Sequence, residues 1–165
     1  MTKAKRFFGL ICILTFCTLL CSFDYSKYTP VSLNTIDDYV NGAIQQSGKS
    51  RDIIFNGQSF RINLDIRANP VPINNQTVRN IIQSFSDTNK FSESYGRDYL
   101  VKLYTHFFNY KYKDKTYVFL FQNSLVNDFV KEVKTGKNAD LYCMLGVYSL
   151  SVNSVYIFVN EFEAK

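Results

Sequence analysis

The residues best suited to hold a ligand are concentrated between positions 102 and 115. Tyr104, Phe108, Tyr110 and Tyr112 are interleaved there with Lys102, Lys111, Lys113 and Lys115. Aromatic faces stack on flat rings, and lysines neutralise phosphates or carboxylates. Single-stranded nucleic acid is held by this combination. The period of a strand separates the two kinds of residue, however. Tyr110 and Tyr112 share one face, and Lys111 and Lys113 share the other. Aromatics so placed also fill a core, and lysines at a hairpin tip also protect an edge strand. The candidate binding residues are Tyr104, Tyr110, Tyr112, Lys111, Lys113 and Lys115, and nucleic acid is not the expected partner.

Other reactive side chains lack company. His106, the one histidine, stands beside Thr105, Phe107 and Phe108, none of which is a carboxylate, thiol or second imidazole. Asp37-Asp38 and the acids Glu132, Asp140, Glu161 and Glu163 lack the spacing of a Ca²⁺ loop and read as solvated surface. Cys143 lies in the apolar run Leu141–Leu145 and reads as a small buried hydrophobe. Asn75-Gln76-Thr77 matches a glycosylation acceptor and equally a helix cap. No glycine-rich phosphate loop, nucleophile elbow or paired-cysteine motif is present. The expectation is a chain without metal, cofactor or catalysis.

The 165-residue chain has room for one modest domain. Its first residues read as an address. Lys3, Lys5 and Arg6 precede an uncharged stretch from Phe7 to Cys21, the order of a secretory signal. Three fates are open for residues 1–21: cleavage, retention as a membrane anchor, or acylation at Cys21 or Cys17. Both cysteine contexts resemble a bacterial lipobox but carry bulky Leu20 or Phe16 directly before the cysteine. Removing residues 1–21 takes three of the 19 basic residues and none of the 14 acids, lowering the formal charge from +5 to +2. It also takes three of the four cysteines and leaves Cys143 without a disulfide partner in the chain.

Residues 22–33 show no periodicity and read as a tether to a single domain spanning 34–165. Ile36, Tyr39, Val40, Ala43 and Ile44 follow helical spacing, with Asn34 or Thr35 as cap. Asn56-Gly57 predicts a tight hairpin turn after a short strand at 52–55. Phe60, Ile62, Leu64 and Ile66 alternate with Arg61, Asn63, Asp65 and Arg67, a strand with one dry and one wet face. A short helix around Val78–Phe85 follows, then a polar loop over 86–97. Strands are predicted at 99–108 and 116–122, a helix after Asn123, and strands at 140–148 and 155–162.

The order strand, strand, strand, helix, strand, strand over about 58–163 resembles the OB-fold, a small five-stranded barrel with its helix between the third and fourth strands. The expected class is α+β, mainly antiparallel, with an added N-terminal helix; another antiparallel α+β sheet is the alternative. The resemblance implies a ligand face on the second and third strands. The reading as a whole is an exported binding or interaction module of the bacterial cell envelope, periplasmic or membrane-anchored. It meets the membrane through its N-terminal segment and takes a protein, peptide, glycan or small molecule as ligand. The alternative function is a single-stranded nucleic-acid-binding protein.

Overall fold

The computed structural model describes residues 24–48 and 51–165. The candidate acylation sites Cys17 and Cys21, and the whole of residues 1–21, lie outside them. Among the described residues no helix is long and apolar enough to cross a membrane.

Among the described residues eight strands form one mixed sheet: β1 (Thr29–Pro30), β2 (Ile53–Ile54), β3 (Ser59–Asp65), β4 (Val71–Pro72), β5 (Tyr104–Tyr112), β6 (Lys115–Gln122), β7 (Asn138–Ser149) and β8 (Ser154–Ala164). Their spatial order is β1-β3-β7-β8-β6-β5-β4, with β2 also paired to β7. The α-helices of the described residues cover the faces: α1 (Leu33–Gln46), α2 (Gln76–Thr88), α3 (Phe91–Tyr95), α4 (Tyr99–Leu103) and α5 (Asn123–Glu132).

Each face has its own core, as the alternation of strands requires. On one side Leu33, Ile36, Val40 and Ile44 of α1 and Phe129 of α5 pack on Phe60, Ile62, Leu64, Phe119, Phe121 and Cys143. On the other, Val78, Ile81, Ile82 and Phe85 of α2 and Leu100 of α4 pack on Val118, Leu120, Val147 and Phe158. The alternation over 60–67 is obeyed: Phe60, Ile62, Leu64 and Ile66 are buried, while Asn63, Asp65 and Arg67 are exposed.

The expected OB-like five-stranded barrel is corrected by this topology, and so is its alternative, another antiparallel α+β sheet. The sheet is open and mixed. β6 runs parallel to β8, β1 runs parallel to β3, and no ladder joins β3 to β5. The outer edge of β3 is taken over Phe60–Arg61 by β1, and that of β5 over His106–Phe107 by β4. Both strands come from segments read as connections. Residues 22–33 contribute a 3₁₀ turn (Tyr25–Lys27) and β1, and the stretch after Arg67 contributes β4.

Two local expectations also change. Asn56-Gly57 does not close a hairpin, because β2 and β3 lie in line along the same strand, β7. Gly57 does take the left-handed conformation, at φ +66°, and a Cβ there would meet Met144 Sδ at 2.9 Å. The polar stretch 86–97 is largely helical. α2 runs to Thr88, and α3 continues an aromatic stack from Phe85 through Phe91 to Tyr95.

Candidate functional site

Charge meets a cavity at the β5–β6 hairpin tip and at the β1–α1 edge. At the hairpin, Asp37 organises everything around it. It sits on the apolar stripe of α1, four residues after Leu33 and three before Val40, and is completely buried. Its carboxylate accepts hydrogen bonds from Tyr117 Oη at 2.7 Å, Lys113 Nζ at 2.9 Å and Lys115 Nζ at 3.2 Å. Lys115 is itself buried and also reaches Asp114 at 3.1 Å. Lys113 also bonds Asn34 and lies 5.3 Å from the Tyr112 ring centre.

Burial alone would push the Asp37 carboxyl up. The hydrogen bonds from Lys113, Tyr117 and Lys115 outweigh it and hold the group below the usual carboxylate range. Burial, together with the hydrogen bond to Asp37, pushes the Tyr117 phenol far up.

The candidate binding residues are therefore mostly engaged within the protein. Lys113 and Lys115 latch the hairpin to α1. Tyr110 and Tyr112 pack against the first core, and Arg67 stacks over Tyr110 at 4.8 Å. Tyr104 is buried on the opposite face, where its hydroxyl donates to Asn160 Oδ1, and burial pushes its phenol up. Lys111 alone of the set is exposed with no hydrogen bond or ion pair among the described residues, beside the free edge of β5. The structure does not bring these six residues to one surface.

The other reactive groups are likewise placed apart. His106 pairs across from Pro72 and bonds Thr105 Oγ1 at 2.9 Å. Cys143 is fully buried, which pushes its thiol well up. Asn75 caps α2 by accepting from the Thr77 amide at 2.7 Å. Lys165 bridges Asp140 and Glu163 at 3.1 and 2.9 Å. Among the described residues no group of three metal-ligating side chains converges.

The β1–α1 edge is built differently. After Pro30 the chain turns away from β3. Val31 N–H donates to Arg61 O at 2.9 Å, and the Ser32 side chain caps α1 through the Thr35 amide at 3.1 Å. The turn leaves two depressions with Val31 and Thr35 as a common wall. One is an apolar cleft of about 390 Å³ between α1 and the sheet, lined by Ile36, Tyr39, Phe60 and Leu145. Tyr39 is 47% exposed and stands at 5.7 Å from the Phe55 ring.

The other depression is polar, about 510 Å³, lined by Ser32, Arg61, Asn63 and Asp140. Asp140 is held by Asn63 at 2.7 Å and by Lys165. Burial would raise its carboxyl, but these contacts keep it lowered. The half-buried Arg61 makes no hydrogen bond or ion pair among the described residues, although its charge acts through space to help lower Asp140. This pair of depressions was missed in the sequence, because it depends on where β1 leaves the sheet. The unlike neighbours Phe60 and Arg61 at the start of the alternating strand are its one sequence signal.

Comparison with family models, with curated proteins and with solved structures finds no match to this chain.

Proposed function

We propose that this chain is an exported, cell-envelope-associated binding module, and that its ligand occupies the β1–α1 edge without undergoing a reaction there. The basic, then uncharged, order of residues 1–21 supports export. The observation that carries the binding reading is the apolar cleft under Tyr39. Its volume of about 390 Å³ falls in the range of small-molecule sites, which run from roughly 300 to 1,000 Å³. Its lining of Ile36, Phe60 and Leu145 offers surface rather than reactive groups, which suits a binding role.

Two experiments test this. The mass of the native N-terminus after membrane fractionation tests export. A processed or acylated chain in the envelope fraction is expected, and intact Met1 in the soluble cytoplasmic fraction contradicts export. Photo-crosslinking with a diazirine-bearing octanol tests the cleft. Labels are expected on Ile36, Tyr39, Phe60 or Leu145 and reduced about five- to tenfold in Tyr39→Ala, as the loss of much of one aromatic contact implies. Labels scattered over the hairpin, or none, contradict the site.

A further inference from the structure

The polar depression beside the cleft adds a second requirement. Arg61 projects from the wet face of β3 into a depression where Ser32, Asn63 and Asp140 are its polar neighbours. The carboxylate nearest to it is already engaged: Asp140 takes Asn63 Nδ2 at 2.7 Å and Lys165 Nζ at 3.1 Å. A guanidinium has five donors in a planar fork and is never deprotonated in proteins. At Arg61 none of those donors has a hydrogen-bond partner among the described residues, although the side chain is half-buried. A guanidinium fork with no hydrogen-bond partner is a receptor for a planar anion. Arg61 already acts through space on Asp140 in the same depression, without a contact to it, so the ligand's charge is best kept to one.

The anion and the apolar cleft share a wall. Val31 and Thr35 line both depressions, and the neighbouring residues Phe60 and Arg61 of β3 point one into each. We infer that the β1–α1 edge binds a single-chain amphiphile bearing a carboxylate head, with the head on Arg61 and the chain over Val31 into the cleft of Ile36, Tyr39 and Leu145. This inference rests on the binding site proposed above and adds the class of ligand. Charge complementarity selects that class: an uncharged chain would leave Arg61 unengaged, and a short carboxylate would leave the cleft unfilled. No bond is made or broken.

The test is an NMR titration of the full-length ¹⁵N-labelled chain with octanoate, 1-octanol and acetate, following the Arg61 Nε–H resonance and the backbone amides of Tyr39 and Leu145. Octanoate is expected to bind about tenfold more tightly than octanol and to move the Arg61 resonance; acetate is expected to bind too weakly to measure. In Arg61→Ala the preference for octanoate over octanol is expected to vanish while octanol binding stays. Arg61→Lys is expected to keep part of the preference, since it keeps the charge and loses the fork. A preference that survives in Arg61→Ala overturns the assignment of the head group. Equal binding of octanoate and octanol to the native chain overturns the anionic ligand and leaves the apolar site standing. Binding of neither overturns both readings.

Discussion

The hairpin tip and the β1–α1 edge carry the same kinds of residue and put them to opposite use. At the tip, two lysines, a tyrosine and a buried aspartate close on one another within 3.2 Å. At the edge, an arginine stands beside an aspartate that already has its partners, above an apolar cleft with an exposed tyrosine at its mouth. Basic and aromatic composition does not separate the two. What separates them is whether a carboxylate from within the fold makes direct contact with the cation. A paired cation holds the structure together, and an unpaired one in a cavity is available to a ligand.

The largest expected effect breaks the first half of that comparison. Asp37→Ala takes from the buried Lys115 its buried partner, leaving it only the exposed Asp114, and removes the acceptor of Tyr117. Breaking a buried ion pair costs roughly 3–5 kcal/mol, and the exposure of Lys113 places this site near about 3 kcal/mol. Urea denaturation is expected to show a midpoint lowered accordingly. An unchanged midpoint would mean that the latch contributes nothing.

The acid limb of stability should report the same contact. Because the folded Asp37 carboxyl is held below its ordinary value of 3.8, its contribution is complete above that value and is lost as pH falls through the lowered folded value. The window lies below about pH 4. Asp37→Asn is expected to show a shallower loss of stability than the native chain over that window. Parallel acid limbs would contradict the sign of the shift.

A smaller effect is expected from Tyr117→Phe. It removes one buried hydrogen bond to a carboxylate and keeps the ring, for a cost of about 1.5–2 kcal/mol by thermal or chemical unfolding. The smallest effect is expected at the edge. Arg61→Ala has no hydrogen bond or ion pair to lose among the described residues, and its stability should stay within about 0.5 kcal/mol of native. A loss like that of Asp37→Ala would show that Arg61 belongs to the structure and not to a ligand site.

The local elements were legible in the sequence because they obey short-range periodicity. The alternation of 60–67 placed its buried face, and Ile36, Val40 and Ile44 of the predicted helical stripe are buried in α1, whereas Tyr39 of that stripe is exposed and Leu33, read as tether, is buried. Asn75 and Cys143 were read by the same local logic. The sheet order was not legible, since β6 and β8 are parallel neighbours with α5 and β7 between them in the chain. Nothing local to either strand encodes that pairing.

Asp37 read as solvated surface beside Asp38, yet it falls on the apolar stripe of its own helix. That position was the available sign that a partner comes from elsewhere, and the partners lie 76 to 80 residues away. The free state of Arg61 has no sequence sign at all, because it is set by which acids other residues have already taken.

The most direct test of the account sets the two regions side by side in one binding measurement. Octanoate affinity is measured for the native chain, for Lys111→Ala, which removes the one unengaged lysine of the hairpin set, and for Arg61→Ala. Lys111→Ala is expected to stay within about twofold of native and Arg61→Ala to weaken about tenfold, the loss of one charge-assisted contact. The reverse order, with Lys111→Ala weakened and Arg61→Ala unchanged, would place the ligand on the hairpin and contradict it.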